Sequence, residues 1–400
     1  MATVVLIAGL LCLAAWLYLL LLHGRFWRIP LPAPYDAGAP SFSPSFGERV
    51  GDHPTIAVVI PARNEADVIG RAIASLLNQN LGAPSLSFGE KVGSLHIFVV
   101  DDNSTDGTAD AARGAAGTDA DRVTVISGQS LPPGWSGKLW AVQQGVERAL
   151  ALNPDFLLFT DADVEHSSHN VGLLVEIADA GGYDLASFMV KLHCRSLAER
   201  LLIPAFVFFF FLLYPPEWIR DPRRKTAGAA GGCILIRPSA LERIGGIAAI
   251  RQEIIDDCAL ARAVKRAGGK VWLGATADTH SVRPYHSFAE VERMIARTAF
   301  NQLRHSVWML LGTVVGMVLI YVLPLLLMIS GSARLAMLGA LAFALMCGAY
   351  LPMVRFYGLN PLWAMTLPAS AVFYTFATFH SAVKYWRGRG GEWKGRAQDA

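Results

Sequence analysis

The stretch "LLFTDADVEH", Leu157 to His166, closes an apolar run with two carboxylates one residue apart, Asp161 and Asp163. An apolar run without polar alternation has the pattern of a strand covered on both faces, as in a parallel sheet, and ligands of such sheets bind beyond the carboxyl ends of the strands. On an extended segment residues i and i+2 point to one side, so the two carboxylates converge, and their repulsion demands a cation or a raised pKa. Oxygen-only ligands favour magnesium or manganese, and magnesium is commonly held by one or two carboxylates together with substrate phosphates. A diphosphate-bearing substrate is the implied occupant.

Upstream, "TIAVVI", "LHIFVV" and "RVTVIS" alternate with helical patterns near Ala66 to Asn78, near Thr108 and from Lys138 to Leu150. Strand and helix in alternation predict an α/β fold with a mainly parallel central sheet. The first strand is followed by Pro61, Arg63, Asn64 and Glu65, and the second by Asp101 and Asp102 with a turn through Asp106 and Gly107. Such residues also build ordinary turns and helix caps, so one strand end alone carries little, whereas three in succession point to a ligand site.

Three further stretches extend the set. "LPPGWSGKLWAVQQGV" leads a Gly-rich loop into a helix at Lys138, whose ammonium suits a phosphate, although neither nucleotide-binding glycine signature is present. "AAGGCILIRPSALERIGG" sets Gly231 and Gly232 before a strand, where bare backbone lets a sugar or acceptor approach. "QEIIDDCALARAVKRAGG" opens an amphipathic helix with Asp256 and Asp257, for which an ordinary helix-start carboxylate is the alternative reading. The stretch "LGAPSLSFGEKVGS" reads as a surface insertion.

The 400 residues are 53% hydrophobic and only 17% charged, which exceeds a soluble norm and places part of the chain in lipid. The surplus lies in Val4 to Leu22, Val307 to Ser330, Leu335 to Met353 and Leu362 to Val383, each near the ~20 residues needed to cross a bilayer. The first run lacks a basic leader and a small-x-small cleavage pattern, so residues 1–28 read as a retained anchor, and His23, Arg25 and Arg28 put the adjoining segment in the cytoplasm. A linker (29–54), a soluble domain (55–305), transmembrane helices (306–384) and a basic tail (385–400) complete the division. Within the domain, Leu201 to Pro216, "LLIPAFVFFFFLLYPP", is short for a span. It reads as a segment lying in the interface, with Arg223, Arg224 and Lys225 toward anionic headgroups and a buried core helix as the alternative. Three final spans would leave the tail outside, whereas its Lys384, Arg387, Arg389, Lys394 and Arg396 favour the inside. A net charge of +3 and the lack of any basic run interleaved with aromatics argue against nucleic acid as a partner. Five scattered cysteines without C-x-x-C spacing read as reduced and buried.

In order, "PARNEAD", "VVDDNSTDGT", "FTDADV", the glycine pair and "IIDDCALARAVKRAG" resemble the motif set of membrane-associated family 2 glycosyltransferases, over roughly Thr55 to Arg304. Through "GWSGK", "GGCILIRP" and "RGGEWKGR" the chain is similar to the hopanoid-biosynthesis-associated glycosyltransferases of bacteria. The resemblance implies a GT-A nucleotide-sugar-binding domain between one N-terminal and about three C-terminal transmembrane helices, in the bacterial inner membrane with the domain facing the cytoplasm. It implies an inverting, metal-dependent transfer of a sugar from a nucleotide diphosphate donor to a membrane lipid, a hopanoid or related isoprenoid.

The resemblance also distributes roles. Pro61, Arg63, Asn64, Glu65, Asp101 and Asp102 would hold the nucleoside and Lys138 the donor. Gly231 and Gly232 would line the approach, and Asp161 and Asp163 would hold the metal. Asp257 would be the base, with Asp256 the competing candidate because the family's Glu-Asp pair reads Asp-Asp here. The Q-x-x-R-W motif of processive relatives has no match in "EVERMIARTAFNQLRHS", which favours a single transfer; Arg297, Gln302 and Arg304 remain candidates for diphosphate or acceptor contacts. Transfer to a polyprenyl phosphate, processive polysaccharide synthesis and an inactive nucleotide-sugar-binding scaffold are the competing readings.

Overall fold

The computed structural model describes residues 2–32, 54–80 and 94–388. Most of the linker, nearly all of the insertion after Asn80 and the last part of the basic tail lie outside the described residues. Eight strands form one sheet: β1 (Ile56–Ala62), β2 (Leu95–Asp101), β3 (Val123–Ser127), β4 (Phe156–Phe159), β5 (Val164–Glu165), β6 (Leu185–Lys191), β7 (Ile234–Ile236) and β8 (Val271–Ser281), in the order β3-β2-β1-β4-β7-β6-β8-β5. The run β3-β2-β1-β4 is parallel, as its sequence pattern predicts, with Val59 opposite Phe98 on one side and Phe159 on the other. β7 is antiparallel to both β4 and β6, β6 is parallel to β8, and the short β5 closes the edge antiparallel to β8.

Both faces of β1 are buried, which is why it lacks polar alternation. Ile56, Val58 and Ile60 pack into one core with residues of the helices Ala66–Leu77 and Asn170–Gly181, while Ala57 and Val59 pack into the other with the helix Gly137–Leu150. That last helix sits close because Gly145 faces the sheet: a Cβ there would come within 2.4 Å of Val59 Cγ1. The close seat fixes the height of Lys138, in the first turn of that helix.

Among the described residues five helices are long and apolar enough to cross a membrane, one more than expected from sequence, because Leu197–Leu213 runs on through the short helix Pro216–Arg220. Three of them pack on one another, and the other two lie against these three as well as against the domain. The helix Ala2–Leu21, the interrupted helical run Val307–Met328 and the helix Ala333–Phe356 pack on one another. Pro324 has no N–H for the carbonyl of Ile320, and the Trp16 indole donates to that carbonyl at 3.0 Å, so the first helix repairs a break in the second. The chain leaves the domain at His305 and comes back to it at Phe356, whose ring lies 5.3 Å from Lys191 Nζ at the end of β6.

The other two helices touch the domain at both ends. Leu197–Leu213 starts with a capping box of Ser196 and Glu199, and Glu199 also accepts the backbone N–H of Tyr285 at 2.7 Å. Past its far end, Lys265 donates to the carbonyls of Trp218 and Ile219 at 3.1 and 2.6 Å. The helix Leu367–Trp386 lies against it, through Ser370 to the Leu201 carbonyl at 2.8 Å and Tyr374 to the Leu202 carbonyl at 3.0 Å. Its last turn stacks Tyr385 on His305 with ring centroids 4.0 Å apart. The final helix therefore ends where the helical run from Val307 begins.

Candidate active site

A pocket opens beyond the carboxyl ends of β1 and β4, lined by Pro61, Lys138, Asp161, Gly231, Asp256 and Asp257 among others. Ser136 caps the helix Gly137–Leu150 and sets Lys138 in its first turn, where Nζ lies 3.1 Å from Asp161 Oδ1 and 3.1 Å from Asp256 Oδ2. Asp257 Oδ2 accepts the Gly231 N–H at 2.9 Å and Oδ1 accepts the Cys258 N–H at 2.6 Å. A Cβ on Gly231 would stand 3.4 Å from Asp257 Oδ2 and 3.5 Å from Lys138 Nζ, so any side chain there would project into this cluster.

Burial, reinforced by the neighbouring Asp256 charge, pushes the Asp257 carboxyl up to about 6, against the opposing pull of Lys138 and the two N–H groups. Burial also raises Asp161, with Lys138 opposing and Asp163 and Asp256 adding to the rise. Desolvation alone would discharge Lys138, but Asp161, Asp256 and Asp257 hold it well above its ordinary value, so it remains an ammonium.

Asp163 departs from the sequence expectation. Residues 162 and 163 form a turn rather than an extended segment, closed by a 3.3 Å bond from Val164 N–H to the Asp161 carbonyl, so the i, i+2 argument does not hold here. The turn arises because β5 is only two residues long and pairs Val164 with Ser281 of β8, which draws Asp163 to that strand's end. Asp163 Oδ2 accepts from Ser281 Oγ at 2.9 Å and Arg283 Nε at 3.1 Å, and the other end of the Arg283 guanidinium donates to Glu65. Two cations thus each bridge two carboxylates: Lys138 joins Asp161 to Asp256, and Arg283 joins Asp163 to Glu65. Sequence reasoning missed Arg283; its only signal is a charged residue just after a strand, in "HSVRPYH", with its partners 120 and 218 positions away.

The strand-end loops hold one another. The Asn64 side chain accepts the Thr105 N–H at 2.9 Å, its own N–H donates to Ser104 Oγ at 2.9 Å, and it sits at φ 51°, a left-handed conformation that asparagine tolerates. Asp101 accepts the Ser104 N–H at 3.0 Å, and Arg63 donates to the carbonyl of the buried Asp102. Asn64 and Asp101 thus shape the loop, while Pro61 faces the pocket directly. Gly232 requires a correction: a Cβ there would meet Val190 Cγ2 at 2.9 Å, so its missing side chain serves core packing rather than ligand approach.

Arg297 lies near enough to Tyr285 for its charge to act on that hydroxyl, together with Asp163 and Arg283. The Gln302 amide bonds to Tyr214 Oη at 2.8 Å, whereas Arg304 is exposed and forms no ion pair with a described pocket residue. The neighbours of the opening pair have structural duties. Glu165 pairs with Arg71 at 2.5 Å. His166, kept neutral by burial at about 3, links Asn170 to Thr160, which donates to the Gly232 carbonyl at 2.8 Å.

Asp161 and Asp163 offer oxygen donors only, which fits a magnesium- or manganese-type ion. No group of three His, Cys, Asp or Glu side chains able to hold a metal occurs among the described residues, so such an ion would draw its remaining ligands from substrate phosphates and water.

Residues 57–245 match the family described as Glycosyl transferase family 2, and residues 225–397 match Glycosyl transferase family 21. Each match covers a little under half of the chain. Over 113 residues the chain is 33% identical to the 4,4'-diaponeurosporenoate glycosyltransferase of Staphylococcus aureus, an alignment covering 28% of this chain and 25% of that protein. The chain thus spans about a quarter of the length of the curated relatives it matches. A mannosyltransferase from Pyrobaculum calidifontis, in complex with GDP-Man and Mn2+, shares the fold over 95% of this chain and 99% of its own, with a TM-score of 0.56 at 18% identity. The protein has a GT-A-like α/β fold with a mostly parallel sheet.

Proposed function

We propose that the protein transfers one glycosyl group, with inversion, from a nucleoside diphosphate sugar to a hydroxyl of a membrane lipid, a hopanoid or related isoprenoid. The observation that carries this reading is the convergence in one pocket of Asp257, held at about 6, with Lys138 and Asp161. The acceptor oxygen attacks the anomeric carbon from the face opposite the diphosphate and gives its proton to the Asp257 carboxylate. The anomeric carbon–oxygen bond breaks, and its electron pair leaves with the nucleoside diphosphate.

Gly231 N–H holds the base carboxylate from one side, and Lys138 supplies a fixed positive charge where the diphosphate gathers negative charge. Because Asp256 is engaged by Lys138, Asp257 is the better assigned base of the pair. Asp161 and Asp163 would hold a divalent metal. Such an ion would supply positive charge to the leaving diphosphate.

A membrane lipid acceptor is supported by the apolar helices and by the S. aureus relative, whose name gives a diaponeurosporenoate acceptor. We further infer that only the helices Ala2–Leu21, Val307–Met328 and Ala333–Phe356 cross the bilayer, while Leu197–Leu213 and Leu367–Trp386 lie in the plane of the leaflet beneath the domain. This arrangement brings Lys384 and Arg387 to the domain side, where basic residues are expected.

The test is transfer itself. Full-length protein in lipid is incubated with labelled nucleotide sugars, a divalent metal and bacterial lipid extract. Label should enter the lipid phase with one sugar per acceptor. Label in long polymer, or no transfer from any donor, would contradict the proposal.

A further inference from the structure

We infer that the residues around 23–28 and 217–225 form a headgroup-binding ledge for anionic phospholipids, tied mechanically to the helix that carries Asp257. The two segments come directly after the ends of two apolar helices, and the structure fixes those ends at one level: His23 Nε2 bonds to the Leu212 carbonyl at 2.8 Å, and the rings of His23 and Trp218 lie 4.4 Å apart. Phe26 packs edge-on against Phe208 beneath them.

On this level stand six exposed cations, Arg25, Arg28, Arg220, Arg223, Arg224 and Lys225, against two carboxylates. Glu217 faces Arg25 at 3.6 Å and Asp221 faces Arg223 at 3.0 Å. The remaining four basic side chains have no ion-pair partner among the described residues. Two are held over indoles: Arg28 at 5.0 Å from the Trp27 ring and Arg224 at 4.6 Å from the Trp218 ring. Trp beside Arg at the end of an apolar helix is the composition of a membrane interface, where the ring lies at headgroup depth and the cation meets phosphate. The surrounding bilayer supplies that phosphate at high local concentration.

The ledge also reaches the active site. Lys265, in the last turn of the helix Asp256–Arg266, donates to the carbonyls of Trp218, Ile219 and Thr226, the last at 2.8 Å. The helix is therefore pinned to the ledge at one end and presents Asp256 and Asp257 at the other, so headgroup binding would set the height of the base above the leaflet.

The experiment needs no glycosyl donor, so it stands apart from the transfer reaction. Full-length protein from mixed phosphatidylglycerol and phosphatidylethanolamine membranes is stripped in detergent, and the lipids retained are counted by native mass spectrometry. Arg28→Gln with Arg224→Gln should lower retained phosphatidylglycerol by roughly fivefold or more, since each basic residue near an anionic surface is worth about that factor. Phosphatidylethanolamine should not change, Arg28→Lys with Arg224→Lys should restore retention, and inorganic phosphate should strip no more lipid than chloride at equal ionic strength. Unchanged phosphatidylglycerol in the glutamine pair would overturn the proposal, as would specific stripping by phosphate, which would mark a site for a soluble anion. If the first pair unfolds, as read by melting temperature, Arg220→Gln with Lys225→Gln removes charge outside the indole stacks and decides the same question.

Discussion

A carboxylate serves as a base only in its ionised fraction, and for Asp257 burial sets that fraction. With a pKa raised to about 6, the group is protonated below that pH and ionised above it. The rate constant kcat/KM should therefore fall about tenfold per pH unit below 6 and level off above it, read from a pH profile at saturating metal. Stability runs the other way. A carboxyl whose folded pKa is raised destabilises the fold as pH climbs from its unfolded value toward 6 and beyond, so Asp257→Asn should melt no lower than the parent at neutral pH. Arg283 makes a different kind of prediction. It lies between Asp163 and Glu65, partly buried, and a double-variant cycle of Arg283→Gln and Asp163→Asn should show coupling of about 1 kcal/mol or more in thermal unfolding. Additive effects would mean that the pairing contributes nothing to stability.

At the scale of elements, the helix Leu197–Leu213 is tied at its start to the segment that lines the candidate site. Glu199 is buried at its first turn, takes the N–H groups of Arg195, Ser196 and Tyr285 and faces His193 at 2.7 Å. Tyr285 lies two residues beyond Arg283, so this carboxylate ties the helix start to the segment that reaches Asp163. Glu199→Gln removes a buried charge from its donors and should cost about 3 kcal/mol, measured as a lowered melting temperature in detergent. An unchanged melting temperature would show that the four contacts are not made together. Elements of this kind were only half legible in the sequence. The helices that flank Lys138 and Asp257 were readable from local pattern and start signals. The start of Leu197–Leu213 and the turn at Asp163 were not, because a capping box tied to Tyr285 and a two-residue strand paired with Ser281 depend on chain far away.

For the molecule as a whole, the parallel half of the sheet and the placing of acidic residues at its carboxyl ends were legible because burial on both faces leaves an unbroken apolar pattern. The same hydropathy could not say which apolar runs cross a membrane. Ala333–Phe356 and the final helix are both long and apolar enough to cross, and the proposal separates them by contact: the stack of Tyr385 on His305 and the bonds of Ser370 and Tyr374 to Leu201 and Leu202. On the proposed arrangement of two crossings and one helix in the plane, Lys384 and Arg387 fall on the domain side, as the charge rule expects.

The base role proposed for Asp257 joins these scales, since it would depend on a buried carboxylate, on the helix that presents it and on the level at which a membrane would hold that helix. The most direct measurement is single-turnover transfer from a labelled nucleotide sugar to lipid by Asp257→Asn protein, with donor binding followed in the same sample. Transfer should slow by ~10²–10⁴ while donor affinity stays within a few-fold of the parent. Near-normal transfer by that variant, or a loss of transfer explained by lost donor binding, would contradict the assignment.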